Sequence, residues 1–343
     1  MKLTWERLSL QAAVPFRISR SVQDRIERVW ARIEFNGEEG WGEADPSPYY
    51  GESAETVEAA LSRMRPVLAG LPDPDRLESI EARLREAVPG NAAAHAAASA
   101  ALHDLFGKRA GLPIWKLLGL DPSDTPQSSL TIGIDEPETM ARRAADAVGW
   151  PILKIKLGTD RDRQMVEAIR AADSSRRLQV DANAAWSPDE AVENIRMLAD
   201  LGVEMVEQPL PPGRPDEWKW VRERSPLPIF ADESCIAASD VPALMGLVDG
   251  VNIKLTKCGG IREAVRTVHT ARSCGLEVMF GCMLESTLGI AAAAHLAPLA
   301  DRLDLDGAIL LAEDPFEGPG LEESYLRLGS EPGLGVRWAG ATG

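Results

Sequence analysis

Length, composition and charge limit the functions that this sequence supports. The chain has 343 residues, enough for one barrel-sized domain and a smaller one. Its Asp and Glu total 53 against 37 Lys and Arg, which gives a formal net charge of −16 at pH 7. Such a composition excludes nucleic acid and a membrane surface as partners, because both need a basic face. A small molecule is therefore the expected partner, and the composition is also compatible with a homo-oligomer.

The N-terminus and the cysteines predict a cytoplasmic protein. The opening segment MKLTWERLSLQAAVPF carries charges among its apolar residues and lacks the apolar core of a signal peptide. No run of residues approaches the length of a membrane span. The four cysteines, at positions 235, 258, 274 and 282, form no C-x-x-C pair and suit reduced thiols inside a cell.

The first third of the chain predicts a small α+β region. RVWARIEF and EEGWGEA flank Asn36-Gly37, a pair typical of a tight hairpin turn between two strands. The pattern from 53 to 118 is helical, and its alanine-rich part should begin after Asn91 and stop near Gly111. The segment LDPSDTPQSS at 120–129 is rich in Pro, Ser and Asp, so it predicts a linker.

Beyond the linker, eight short apolar runs alternate with helical stretches. The runs are SLTIGI, ILKIKL, LQVDA, VEMVEQP, LPIFADES, GVNIKLT, LEVMFGC and DGAILL. Strands that alternate with helices at this spacing predict a parallel sheet with crossover helices, and eight such strands can close into a barrel.

Charged residues mark the ends of five consecutive strands in this pattern. They are Lys156, Asp181, Glu207, Asp232 and Lys254, which follow one another at intervals of 22 to 26 residues. In a βα barrel, the C-terminal ends of the strands meet at the mouth that carries the active site. We therefore expect all five side chains at one mouth.

The three carboxylates of this series predict a metal site. Asp181, Glu207 and Asp232 offer only oxygen ligands from separate strands, which suits a hard divalent cation and favours Mg²⁺. Helix capping would explain one acidic residue at a strand end, but it does not explain three in phase. Asn183 and Glu233 are neighbours that can support the ligands from outside.

The lysines of the series predict acid–base chemistry. Lys156 and Lys254 lie on the second and sixth strands, which stand opposite each other in an eight-stranded barrel. Two such groups can remove a proton from one face of a carbon and return it to the other. Lys154 shares a strand face with Lys156 at about 7 Å, and its charge, together with that of the metal, should lower the pKa of Lys156. Lys257, three residues after Lys254, is expected to point elsewhere.

Several of these motifs together resemble one known family. KIK, DAN, EQP, ADES, NIKLTKCGG and GCMLES resemble the muconate-lactonizing subgroup of the enolase superfamily, over nearly the whole chain. The resemblance implies a modified TIM barrel, (β/α)7β, with an α+β capping domain, and it implies lysine bases and Mg²⁺. It assigns residues 1–125 and the C-terminal tail 315–343 to the capping domain, and 126–314 to the barrel.

The substrate is predicted from the eighth strand and from two loops. Asp304 and Asp306 share a strand face, and this D-x-D resembles dipeptide epimerases, in which it binds the free α-ammonium group of a dipeptide. FRISRS and PSPYYGES resemble the two lid loops of alanyl-glutamate epimerases, which implies that Arg20 pairs with the glutamate carboxylate of the substrate. Tyr50 and Thr131 complete the candidate substrate contacts.

Together these residues predict a Mg²⁺-dependent dipeptide epimerase. Such an isomerase transfers protons at the α-carbon of the C-terminal residue of a dipeptide such as L-Ala-D/L-Glu. An o-succinylbenzoate synthase or N-succinylamino acid racemase is an alternative within the superfamily, although it lacks a use for Asp304 and Asp306. A non-catalytic small-molecule binding protein on a barrel scaffold is the alternative from another class.

Overall fold

The N-terminal part of the chain forms an antiparallel sheet. The computed structural model describes residues 1–340. The first sheet contains, in spatial order, the strands β1 Lys2–Ile18, β2 Ser21–Phe35 and β3 Glu38–Ala44. Asn36 and Gly37 have positive φ angles of 55° and 87°, as a two-residue hairpin turn between β2 and β3 requires. The predicted hairpin is therefore confirmed.

Helices cover one face of this sheet. They are α1 Ala54–Ala69, α2 Leu77–Ala87 and α3 Ala92–Ala110, and the short α4 Ile114–Leu117 follows them along the chain. Asn91 caps α3, because its side chain accepts a hydrogen bond from Ala94 N at 3.1 Å, and Gly111 ends the helix with a φ of 68°. Both predicted ends of the alanine-rich helix are confirmed. Apolar residues of α1, α2, α3 and the sheet pack into one core.

The second part of the chain is a parallel barrel. Its strands are β4 Leu130–Ile132, β5 Ile152–Lys156, β6 Arg177–Asp181, β7 Val203–Glu207, β8 Ile229–Ala231, β9 Gly250–Ile253, β10 Glu277–Gly281 and β11 Arg302–Asp304. Its helices are α5 Pro137–Asp146, α6 Asp162–Ala172, α7 Pro188–Asp200, α8 Pro215–Arg222, α9 Leu255–Cys258, α10 Ile261–Ser273 and α11 Thr287–Ala294.

The eight strands pair in chain order and close into a ring. Each strand from β4 to β11 is hydrogen-bonded to the next. The ring closes because Ser128 forms a parallel bridge with Leu303, and Ser129 N donates to Leu303 O at 3.0 Å. The crossover between β8 and β9 contains a 3₁₀ turn at Val241–Leu244 instead of an α-helix. Eight strands joined by seven crossovers confirm the predicted (β/α)7β barrel. The position of the eighth strand was wrong, because it is Arg302–Asp304, whereas most of the predicted run DGAILL at 306–311 forms a turn.

After β11 the chain forms a tail of short strands rather than another barrel helix. They are β12 Phe316–Glu317, β13 Gly320–Glu322, β14 Tyr325–Arg327 and β15 Arg337–Trp338. Trp338 stacks on Trp30 of β2, with ring centroids 4.9 Å apart, and Phe316 meets Trp30 edge-on at 5.2 Å. The tail thus contacts the N-terminal sheet. The domain limits 1–125, 126–314 and 315–343 stay predictions.

The N-terminal sheet is anchored to the barrel by polar contacts. Arg28 of β2 donates from Nε to Leu284 O at 3.0 Å, in the loop that follows β10. Glu43 of β3 accepts a hydrogen bond from Ser286 N at 3.0 Å, at the start of α11. These contacts place the sheet over the mouth of the barrel. Within residues 1–340, no helix is both long enough and apolar enough to cross a membrane.

Candidate active site

Strand register brings the predicted charged residues to one mouth of the barrel. Lys156, Asp181 and Glu207 are the last residues of β5, β6 and β7, and each is the register partner of the next. Asp232 and Lys254 directly follow β8 and β9. All five side chains are buried. The C-terminal mouth therefore concentrates opposite charges in a space with little water.

The three carboxylates converge within this cluster. Ligand oxygens of Asp181, Glu207 and Asp232 all lie within 4.8 Å of one another. Oε2 of Glu207 accepts no hydrogen bond from any residue between 1 and 340. Burial, and next the charge of Asp181, raise the pKa of Glu207 to about 7. A buried set of carboxylates such as this can hold a hard divalent cation, because the cation removes their mutual repulsion.

The two lysines of the series approach the cluster from opposite sides. Lys156 Nζ lies 2.6 Å from Asp181 Oδ2, and Lys254 Nζ lies 2.8 Å from Asp232 Oδ2. Their strands, β5 and β9, stand four positions apart in a ring of eight. Both side chains line the same cavity. This arrangement can deliver protons to two faces of one carbon atom.

Lys154 lies among carboxylates of three other strands. Its Nζ lies 2.6 Å from Asp304 Oδ2, 2.7 Å from Glu207 Oε2 and 3.5 Å from Asp181 Oδ2. The contact with Glu207 is an ion pair without the geometry of a hydrogen bond. Burial alone would lower the pKa of Lys154, but these carboxylates outweigh burial and raise it well above its usual value. The local balance of charge weakens the field that Lys154 was expected to exert on Lys156.

The D-x-D motif accepts hydrogen bonds from the first barrel strand and from the residue before it. Asp304 Oδ1 accepts hydrogen bonds from Ser129 Oγ at 2.9 Å and from Thr131 Oγ1 at 3.2 Å. Asp306 Oδ2 accepts one from Thr131 N at 2.6 Å. Burial, and next the charge of Asp304, raise the pKa of Asp306 to about 7. Asp304 is paired with Lys154, whereas Asp306 has no cationic partner within residues 1–340.

The turn between β1 and β2 reaches the barrel through Arg20. Its Nη2 lies 2.8 Å from Glu233 Oε1, and its Nη1 donates to Asn183 O at 2.8 Å. The guanidinium also lies 4.3 Å from the ring centre of Tyr49, which meets the ring of Tyr50 edge-on. Arg20 therefore joins a lid, formed by the β1–β2 turn and the tyrosine loop, to the acidic end of the site.

A cavity of about 380 Å³ lies between this lid and the barrel mouth. Its wall brings together eight of the predicted site residues: Lys156, Lys254, Asp232, Asp304, Asp306, Thr131, Arg20 and Tyr50. Apolar side chains complete the wall, among them Phe16, Ile18, Met283 and Leu310. Of the other three predicted residues, Asp181 contacts Lys156 and Lys154 contacts Asp304, both in this wall, and the ligand oxygens of Glu207 and Asp232 lie within 4.8 Å of each other. The cavity suits a small molecule that carries both charged and apolar groups.

Two residues of the site were missed by sequence reasoning. Asn252 Nδ2 donates to Glu207 Oε1 at 2.8 Å. Asn252 lies two residues before Lys254, so the two-residue period of a strand was a usable signal. Ser129, which donates to Asp304, lies two residues before Thr131 in the predicted run SLTIGI, so the same period was a usable signal there.

The expectation that Lys257 points away from the site is wrong. Its Nζ lies 2.5 Å from Asp232 Oδ1 and 2.6 Å from Asp232 O. The reason is local, since the strand ends before Lys254 and the short helix α9 begins directly after it. The alternation of a strand does not extend to Lys257, and the helical turn brings its side chain back towards Asp232.

Comparison with known proteins assigns this fold and site to a family. Residues 4–119 match the family described as mandelate racemase/muconate lactonizing enzyme, N-terminal domain. Residues 138–341 match the family described as enolase C-terminal domain-like. The chain belongs to the enolase superfamily.

Enolase-superfamily relatives align with nearly the whole chain. An L-Ala-D/L-Glu epimerase from Bacteroides thetaiotaomicron is 39% identical over 98% of this chain and 88% of its own. A hydrophobic dipeptide epimerase from a Flavobacteria bacterium is 38% identical over 98% of both chains. The crystal structure of a dipeptide epimerase from Enterococcus faecalis V583, complexed with Mg and L-Leu-L-Tyr, superposes with a TM-score of 0.92 at 36% identity over 98% of both chains. The chain is therefore a dipeptide-epimerase-like member of the superfamily.

Proposed function

We propose that the protein is a Mg²⁺-dependent dipeptide epimerase. It inverts the α-carbon of the C-terminal residue in a dipeptide such as L-Ala-L-Glu or L-Ala-D-Glu. The observation that carries this proposal is the pair of opposed lysines, Lys156 and Lys254, which line one cavity at the edge of a buried carboxylate cluster. The three relatives support the same reaction, because each is named as an epimerase of dipeptides.

Asp181, Glu207 and Asp232 would hold the Mg²⁺. The fit is supported by a donor set made only of carboxylates and by Oε2 of Glu207, which forms an ion pair with Lys154 but accepts no hydrogen bond. Bound Mg²⁺ would stabilise the negative charge that develops on the substrate carboxylate when the α-proton leaves. Asn183 N and Asn252 Nδ2 donate to Asp181 and Glu207, and these hydrogen bonds orient two of the ligands.

Lys156 and Lys254 would exchange protons with the α-carbon from opposite faces. In one direction, the neutral amine of one lysine takes the α-proton, and the ammonium group of the other donates a proton to the opposite face. The roles reverse for the other epimer. Each turnover converts one amine to ammonium and one ammonium to amine, so the number of protons in the site is conserved.

Asp306 would bind the free α-ammonium group of the dipeptide. It lines the cavity, it is buried, and it has no cationic partner within residues 1–340. A buried carboxylate without a counter-ion is unfavourable, so an ammonium group on the ligand would satisfy it. Succinylated amino acids and succinylbenzoate carry no such group. Asp306 therefore favours the dipeptide over the succinyl substrates of the alternative.

Arg20 would contact the side chain of the C-terminal residue. A glutamate side chain can pair with the guanidinium, but Glu233 Oε1 already lies 2.8 Å from Arg20 Nη2. The substrate carboxylate thus gains the difference between two pairings rather than a whole ion pair. Phe16 and Ile18 supply apolar surface in the same wall. We therefore propose a preference for acidic side chains that leaves apolar ones as slower substrates.

A substrate panel tests this function. The protein and Mg²⁺ are incubated with L-Ala-L-Glu, L-Ala-L-Leu and N-succinyl amino acids. The dipeptide epimers are distinguished by NMR, and the enantiomers of the succinyl compounds by chiral chromatography. Conversion of L-Ala-L-Glu to L-Ala-D-Glu is the expected result. Conversion of the succinyl compounds alone would favour the alternative enzyme, and binding of dipeptides without conversion would favour a binding protein.

A further inference from the structure

Lys257 is a fully buried lysine that takes no part in the proposed proton transfer. Its Nζ lies 2.5 Å from Asp232 Oδ1, 2.6 Å from Asp232 O, 2.9 Å from Asn252 O and 3.0 Å from Cys235 O. An ammonium group has three protons to donate, so these oxygens satisfy it completely. Lys257 is not part of the cavity wall. Any effect on the reaction must pass through the residues that it holds.

The oxygens around Lys257 belong to two neighbouring strand ends. Asp232 and Cys235 follow β8, whereas Asn252 lies in β9, two residues before Lys254. Asn252 also donates to Glu207 through its side chain. Lys257 thus ties one proposed metal ligand to the strand that carries Lys254 and that supports a second ligand.

The charge of Lys257 is matched to Asp232. A buried ammonium is unfavourable without a carboxylate partner, and Asp232 is the carboxylate that Lys257 contacts within residues 1–340. The contact occupies Oδ1, whereas Oδ2 faces Lys254 Nζ at 2.8 Å. The side-chain orientation of Asp232 is therefore set by two lysines, one on each oxygen.

We infer that Lys257 is a positioning residue of the metal site. It holds Asp232 in one orientation, and in this way it sets both the affinity of the carboxylate cluster for Mg²⁺ and the placement of Asp232 against Lys254. This inference rests on the proposed function, because it requires that Mg²⁺ binds to Asp181, Glu207 and Asp232.

Lys257→Met tests the inference by removing the charge while keeping a long, unbranched side chain. Loss of a group that orients a metal ligand costs about 10- to 100-fold in metal affinity. The Kd for Mg²⁺, measured by calorimetry in the absence of dipeptide, should rise by that factor. The Mg²⁺ concentration that half-activates the enzyme should rise in parallel.

Lys108→Met is the matched control. Lys108 Nζ lies 2.7 Å from the buried Asp104 Oδ2 on α3, so this variant also removes a lysine from a buried aspartate, but outside the site. It should lower the melting temperature and leave the Kd for Mg²⁺ within about twofold of the wild-type value, since a factor of two is only about 0.4 kcal/mol.

A second readout separates positioning from a general loss of stability. In D₂O with saturating Mg²⁺ and dipeptide, Lys257→Met should slow α-proton exchange from the epimer that faces Lys254 more than from the epimer that faces Lys156. A purely structural defect would slow both epimers equally. The two epimers are followed separately by NMR.

An unchanged Kd for Mg²⁺ in folded Lys257→Met, or equal slowing of both epimers, would overturn the inference. If the Met variant does not fold, the same measurements are made on Lys257→Gln, because its amide keeps a donor for the backbone carbonyls. If neither variant folds, Lys257 serves the fold alone and the inference is wrong. Failure of the wild-type protein to bind Mg²⁺ is a separate result, which would overturn the proposed function instead.

Discussion

Lys154 Nζ lies 2.6 Å from Asp304 Oδ2, and this ion pair joins the second strand of the barrel to the eighth. Ser129 and Thr131, at the first strand between them, donate to the other oxygen of Asp304. The charge of Asp304 is therefore balanced within the protein by Lys154. In the proposed function, Asp306 is the carboxylate of the D-x-D motif that remains to bind the ammonium group of the dipeptide.

This asymmetry predicts different effects for the two aspartates. A charge-assisted hydrogen bond contributes about 1.5–3 kcal/mol, so Asp306→Asn should lower kcat/KM by roughly 10- to 150-fold. The loss should be the same for L-Ala-L-Glu and L-Ala-L-Leu, mainly through KM, because both carry the ammonium group. Asp304→Asn should also lower kcat, since it frees Lys154 beside Glu207. Undiminished activity in Asp306→Asn would favour the alternative function, in which the substrates are succinyl compounds without a free ammonium group.

Arg20 and Glu233 predict opposite changes in side-chain preference. Arg20→Ala should lower kcat/KM for L-Ala-L-Glu by less than the roughly 10- to 150-fold of a full charge-assisted contact of about 1.5–3 kcal/mol, because Glu233 already pairs with Arg20. It should change kcat/KM for L-Ala-L-Leu little. Glu233→Gln removes the internal competitor for the guanidinium, so it should raise the ratio of L-Ala-L-Glu to L-Ala-L-Leu activity. The ratio is the proper readout, because damage to the neighbouring Asp232 affects both substrates.

Two outcomes would contradict this account of the lid. Equal losses on both substrates in Arg20→Ala would contradict the proposed contact between Arg20 and the glutamate side chain. They would not contradict the epimerase activity. A lower Glu-to-Leu ratio in Glu233→Gln would mean that Glu233 positions Arg20 for the substrate instead of competing for it.

The carboxylate cluster predicts dependence on a divalent cation. EDTA should abolish activity and Mg²⁺ should restore it. Asp232→Asn should weaken Mg²⁺ binding by at least the roughly 10- to 100-fold that loss of an outer partner costs, because it alters a ligand itself. Calorimetric titration with Mg²⁺ measures the change. Full activity of the chelated protein would exclude the metal site.

A separate carboxyl cluster, at the contact between the N-terminal sheet and the barrel, predicts a pH effect on stability. Arg28 Nη1 lies 2.7 Å from Asp45 Oδ1, and the charge of Arg28 also acts on the nearby Glu43 and Glu285. Burial raises the pKa of Glu285 to about 8 and that of Glu43 to about 7. These carboxyls bind protons more tightly in the folded state than in the unfolded state. Their contribution to the free energy of unfolding is therefore fully present below about pH 4 and is lost as the pH rises towards about 8.

Glu285→Gln should remove part of this loss. The variant side chain stays neutral and keeps an oxygen for Met283 N, which donates to Glu285 Oε1 at 2.9 Å. Its gain in unfolding free energy over wild type should reach a few kcal/mol above about pH 8, since one unit of pKa shift corresponds to about 1.4 kcal/mol, and should vanish near pH 4. Urea unfolding at several pH values measures it, with the exposed Glu86→Gln as control. A gain that does not depend on pH would contradict the assignment.

The barrel and its charged mouth were predictable because both depend on spacing along the chain. One strand and one crossover occupy about the same length each time, so Lys156, Asp181 and Glu207 recur in phase at strand ends. Register then places them side by side. The hairpin at Asn36-Gly37 was predictable for a local reason, since its backbone needs two positive φ angles.

The contacts that decide the charge of each group were not predictable. Lys154 and Asp304 are 150 residues apart and meet because the barrel closes. Arg20 and Glu233 meet because the β1–β2 turn folds over the mouth. Lys257 was misplaced because the change from strand to helix falls immediately after Lys254, where alternation gives no warning.

Proton exchange in D₂O by Lys156→Ala and Lys254→Ala tests the central claim most directly. Each variant is incubated with Mg²⁺ and with L-Ala-L-Glu or L-Ala-D-Glu, and deuterium at the α-carbon is followed by NMR. The account predicts that neither variant epimerises and that each exchanges the α-proton of one epimer only, with opposite choices, because each keeps the lysine on one face. Normal epimerisation by Lys254→Ala, or exchange of the same epimer by both variants, would contradict the two-lysine mechanism.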